Sequence, residues 1–109
     1  MPDRPRFTTT FDAHDATATI VALGELDLAT APMFGEVLAE ALRTPGVQHI
    51  CVDLAGVAFA DSTALQVLIL AARRVRDQGG TFNVVAPSEP VRRLLATTAL
   101  ERYFGVPQD

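Results

Sequence analysis

Apolar and polar residues follow two periods along this chain, and the changes of period mark its elements. Phe7-Thr8-Thr9-Thr10-Phe11 is β-branched and aromatic, and Thr17-Ala18-Thr19-Ile20-Val21-Ala22-Leu23 has the same strand character. Asp12-Ala13-His14-Asp15-Ala16 between them is polar and turn-like, so the two segments are expected to pair as a hairpin. After a turn at Gly24, Thr30 can cap a helix whose first turn holds Pro32, at a position that needs no N–H donor. Phe34, Val37, Leu38, Ala41 and Leu42 then fall on one face at a 3.6-residue period, and Thr44-Pro45-Gly46 ends the helix.

The middle of the chain reads as a short buried strand, Ile50-Cys51-Val52-Asp53-Leu54, then a six-residue connection, Ala55 to Ala60, then a hydroxyl-bearing helix start, Asp61-Ser62-Thr63. The helix runs to about Gln78 with Leu65, Leu68, Ile69, Ala72 and Val75 inward, and stops at Gly79-Gly80, where glycine can take the left-handed cap. Phe82-Asn83-Val84-Val85 is a further strand. Ser88 is placed to cap a last helix with Pro90 in its first turn and Val91, Leu94 and Leu95 inward. Leu100, Tyr103 and Phe104 are expected to dock the tail. Strands alternating with helices from residue 17 onward imply βαβ units. The expected fold is therefore α/β: one small domain over 1–109, a mixed, mainly parallel sheet of four to five strands with helices packed against it. Residues 1–6 and 105–109 are expected to be flexible.

Composition narrows the function. At 109 residues, 49% of them hydrophobic, the chain can build one core but not two. A formal net charge of −4 argues against non-specific binding to nucleic acid or to an anionic membrane surface. The single cysteine excludes an internal disulfide and suits a reducing compartment. No segment approaches the roughly 20 apolar residues of a membrane span, and Met1 to Arg6 lead into Phe7 without an apolar signal core, so a cytoplasmic location is expected.

Enzyme signatures are missing: no phosphate loop, no G-x-G-x-x-G, no G-x-S-x-G and no H-E-x-x-H. His14 and His49 have no partner at metal-ligand spacing, so neither a metal nor a cofactor is expected. Cys51 reads as a small core residue, and Arg73, Arg74 and Arg76 as a solvated helix face. Asp53 between apolar neighbours is costly unless hydrogen-bonded, and suits a strand end where it ties the next loop in place. Asp27 reads as a solvated turn residue that stabilises the nearby helix start. Ser62 stands at a helix start, where it either caps the first turn itself or is left free because Asp61 does so. A phosphate there would meet the positive end of the helix dipole.

Asp61-Ser62-Thr63-Ala64-Leu65 resembles the Asp-Ser-Ser/Thr-Gly-Leu signature of STAS domains, in particular the bacterial anti-sigma factor antagonists. Gly24-Glu25-Leu26-Asp27, Val52-Asp53-Leu54, Gly79-Gly80 and Pro87 to Leu95 resemble further family segments in the same order, so the resemblance covers nearly the whole chain. It implies a non-enzymatic binding switch. The unphosphorylated form would bind a serine-kinase anti-sigma factor and so release a sigma factor; phosphorylation of Ser62 would end the binding, and a serine phosphatase would restore it. Thr63 is the runner-up acceptor. Asp27, Asp61, Ser62, Thr63 and Ala64 would form the partner surface. Ala64 departs from the family glycine, which lets a partner backbone approach closely. The rival reading is a STAS subunit of a stable assembly, a lipid-transport ATPase complex or a sensory scaffold, without an obligatory phosphate switch. A small nucleotide-binding enzyme is a third class, which the missing phosphate loops disfavour.

Overall fold

A computed structural model describes residues 7–106. Its elements are β1 (Phe7–His14), β2 (Thr17–Leu26), α1 (Ala31–Arg43), β3 (His49–Ala60), α2 (Ser62–Asp77), β4 (Thr81–Val85) and α3 (Glu89–Thr97). The four strands form one sheet in the order β1-β2-β3-β4, with β1 antiparallel to β2 and the other pairs parallel. This is the expected fold, with four strands. Ile20, Val52 and Val84 are neighbours in register and fully buried, whereas Thr19, Cys51 and Asn83, one step along, are not. The period-2 alternation thus gives the sheet a covered face and an open one.

The helices sit as their spacing predicts. Phe34, Leu38, Leu65, Leu68, Val91 and Leu95 are buried, while Val37, Ile69 and Leu94 are partly buried and pack against the same core. α2 ends in a left-handed cap: Gly79 has φ 85°, its N–H donates to Arg76 O at 2.9 Å, and the Gly80 N–H donates to Val75 O at 2.8 Å. Gly80 admits no side chain, since a Cβ there would lie 2.1 Å from Gln48 O.

Several sequence expectations change. The hairpin turn is tighter than the polar stretch suggested: β1 and β2 stay paired to His14↔Thr17, and Asp15 takes a left-handed φ of 57°. Gly24 is not a turn; it lies within β2 at φ 105°, next to a register shift. The six-residue connection after Leu54 is also strand. Ala55 to Ala60 continue β3 beside β2, with two shifts that each place one extra residue on β3. Asp53 and Cys51 lie in a strand buried on one face only, and both are half-buried on its open side. Cys51 is therefore not a core residue, and the Asp53 carboxylate, half-buried, accepts the Ala55 N–H through Oδ1 at 3.0 Å.

Both Pro-containing helix starts lack the expected hydroxyl cap. Thr30 and Ser88 stand at the N-cap positions of α1 and α3, but neither side chain caps. Pro32 and Pro90 occupy the second helical position and offer no N–H. Arg76 is not a solvated residue like exposed Arg73 and Arg74. Its guanidinium donates to Phe82 O at 3.0 Å and to Tyr103 O, and it stacks 4.6 Å from the Tyr103 ring centroid. That clamp holds the chain's last turn against β4, where Phe104 is fully buried beside Phe82 and its carbonyl accepts the Val84 N–H. Gly105 and Val106 do not form a loose tail: Val106 is buried and its N–H donates to Glu101 O at 2.9 Å. Residues 1–6 and 107–109, the rest of the ends expected to be flexible, lie outside the described residues.

Candidate functional site

β2 and β3 finish side by side, with Leu26 paired to Ala60. The next residues are Asp27 and Asp61, so two acidic loops leave one edge of the sheet together, at the carboxyl ends of parallel strands. The Asp61 N–H donates to Leu26 O at 3.2 Å and pins the second loop to the first strand's end.

Each aspartate organises the helix that follows. Asp61 is the N-cap of α2, in extended backbone, and its Oδ1 accepts the Thr63 N–H at 2.9 Å. Ser62 is consequently the first helical residue, exposed and outside the cap, while Thr63 is half-buried. Asp27 acts from three residues before the N-cap: its Oδ1 accepts the N–H groups of Ala29 at 3.0 Å and Thr30 at 3.1 Å. The buried Thr30 hydroxyl accepts the Asp27 N–H at 3.0 Å and donates to Glu25 O at 2.8 Å. Asp27 therefore stabilises the start of α1, the role its position suggested.

Ala64 does not reach the surface. It is 1% exposed, because in a helix it shares the inward face with Leu68 and Ala71. Its methyl group fills core space, so a contribution to partner contact through that side chain is excluded.

Three exposed apolar side chains lie close in the chain to these loops. Leu28 follows Asp27 and is 74% exposed, Met33 lies in the first turn of α1, and Phe59 pairs with Glu25 two residues before Asp61. An exposed apolar side chain beside a polar centre suits an interaction surface, and Leu28 stands beside this one. Sequence reasoning passed over all three; the available signal was a leucine and a phenylalanine in segments read as turn and connection. No candidate metal cluster occurs among the described residues, where His49 Nδ1 instead lies 2.8 Å from Thr81 Oγ1. No helix among them is long and apolar enough to cross a membrane.

The fold and this edge define a small α/β domain that presents a serine, released from its own helix cap, beside acidic loops and an exposed leucine. The family model described as "Mlab, STAS domain" matches residues 9–106. The chain belongs to the STAS-domain family. It is 33% identical over 94 residues to the anti-sigma F factor antagonist of Paenibacillus polymyxa, covering 85% of this chain and 80% of that protein. It is 31% identical over 93 residues to the anti-sigma-B factor antagonist of Staphylococcus epidermidis, covering 85% of each. Among solved structures, an anti-sigma factor antagonist from Mycobacterium paratuberculosis superposes with a TM-score of 0.80 at 28% identity, over 94% of this chain and 86% of that one.

Proposed function

We propose that this chain is an anti-sigma factor antagonist, a cytoplasmic binding protein rather than an enzyme, switched by phosphorylation of Ser62. The unphosphorylated form binds a serine-kinase anti-sigma factor and thereby frees a sigma factor; a serine phosphatase returns the phosphorylated form to the binding state. ATP and any metal belong to those partners. The names of the relatives support the antagonist role. The observation that carries the switch is the placement of Ser62: exposed, first in α2, with the cap supplied by Asp61. A kinase reaches that hydroxyl without unfolding the helix. The phosphate then sits at a helix N-terminus, which tolerates an anion, so the fold is retained.

Its effect falls on the partner. Phosphate adds about −1.5 to −2 charge beside Asp61, at an edge where Leu28 is exposed. Charge forced into a desolvated contact costs several kcal/mol, and each 1.4 kcal/mol is about tenfold in affinity. Calorimetric titration of the anti-sigma factor with wild type, Ser62→Ala, Ser62→Asp and the phosphoprotein tests this. Wild type and Ser62→Ala bind alike, Ser62→Asp binds more weakly, and the phosphoprotein binds roughly a hundredfold more weakly. Peptide mapping places the phosphate on Ser62 and not on Thr63 or Ser88. Equal affinities across all four would overturn the switch and favour a subunit of a stable assembly.

A further inference from the structure

The outer faces of α1 and α2 carry a pattern of their own. Each helix joins consecutive parallel strands of one sheet, so the two run in the same direction. They lie level with each other, since a Cβ built on Gly35 would be 3.7 Å from Val67 Cγ1. Small side chains at Gly35, Ala39 and Ala71 leave a groove of about 110 Å³ between the helices, with Leu38 and Val67 in its walls. Leu70 stands at its rim, 60% exposed.

The charges flanking the groove have inverted signs. Along α1 the exposed ionised residues are Glu36, Glu40 and Arg43; along α2 they are Arg73, Arg74 and Asp77. Acid, acid, base on one helix faces base, base, acid on the other. None of the six makes an ion pair among the described residues.

We propose that this groove is the contact surface for a second copy of the chain, related by a two-fold axis running along the groove. A self-complementary patch is what a two-fold contact requires. That axis lays α1 of one copy over α2 of its partner at the same level. Glu40 then meets Arg73 and Arg74, Arg43 meets Asp77, and each Leu70 enters the opposite groove. The other in-plane axis, across the helices, stacks each helix antiparallel on its own copy; it can pair Glu36 with Arg43, but it then sets Glu40 against Glu40, a like-charge contact that the axis along the groove avoids. Helices of 13 and 16 residues are about 20–24 Å long. They offer less than the ~800 Å² per partner of a standard interface, so the dimer is concentration-dependent.

Sedimentation equilibrium over a wide concentration range tests the proposal, with melting temperatures confirming that each variant is folded. Wild type follows a reversible monomer–dimer equilibrium, and Leu70→Glu, a change at an exposed position, is monomeric throughout. Glu40→Arg and Arg74→Glu each weaken dimerisation roughly tenfold, and the two together regain most of the loss, because the pairing is re-formed with signs exchanged. A wild type that stays monomeric would overturn the proposal. So would a dimer that survives Leu70→Glu, which would place the contact on another surface, or a double variant weaker than both singles.

Discussion

Ser62 and Ser88 look alike in the sequence, each a serine at the opening of an amphipathic helix, yet the fold treats them in opposite ways. Ser88 is itself the N-cap of α3, with its N–H donated to Leu54 O and its hydroxyl buried without a hydrogen-bond partner among the described residues. Ser62 is one position further in, exposed, with Asp61 capping in its place. A hydroxyl at a helix start is thus open to chemistry only when another residue does the capping and the chain enters from the surface. Ser88 meets neither condition.

Both helices should be anchored equally well from below, so the contrast belongs to their first turns. Leu68 under α2 and Leu95 under α3 are buried, and truncating either to alanine should cost about 2–5 kcal/mol by denaturant unfolding. A loss below about half a kcal/mol at Leu68 would mean that the helix face is misassigned. The starts then separate the two helices. Asp61→Ala removes a working cap and should cost about 1 kcal/mol. Ser88→Ala removes an unsatisfied buried hydroxyl and should be neutral or stabilising by up to ~1 kcal/mol. A destabilisation of that size at Ser88 instead would reveal a hydrogen bond and erase the contrast. The smallest effect is expected at Ser62→Ala, within about 0.5 kcal/mol of wild type, because the serine does not cap.

Periodicity made the architecture readable. Stripes such as Phe34/Leu38/Ala41 and Leu65/Leu68/Ala72 needed only one buried side per helix to be right, and the glycine pair after α2 needed only one cap geometry. Local turn signals misled wherever pairing overrode them. Gly24 suggested a turn and Ala55 to Ala60 a connection, but neighbouring strand edges drew both segments into the sheet. The two proline-bearing helix starts misled for a related reason: proline marks the first turn and also removes the N–H a hydroxyl cap would use. At the candidate site, the Asp61-Ser62 start was visible as a pair of alternatives. The inward turn of Ala64 was legible in its helical spacing to Leu68 and Ala71 and was passed over. The packing of the Asp27 loop beside the Asp61-Ser62 start was not visible, because it depends on Leu26 and Ala60 meeting across the sheet. Arg76 was hidden similarly, since its acceptors come from Phe82 and Tyr103, the latter 27 residues away.

The two extra residues in β3 have a consequence for how the gene can change in length. Side chains alternate across a strand, so an inserted residue exchanges inside for outside downstream of it unless a bulge sets two residues opposite one. Along β3 the buried positions pass from even numbers, Ile50, Val52 and Leu54, to Val57, and after the second bulge the partly buried place falls to Ala60. Each bulge absorbs its own extra residue, so Ala60 still lies opposite Leu26 and Asp61 leaves the sheet beside Asp27. Loss of one codon at either bulge would therefore shorten β3 without turning the serine's approach over. Between Ile50 and Asp53 the pairing is regular, and a codon lost there would exchange buried for open positions. For this domain, tolerance to a change in length is concentrated in the stretch that leads to the serine.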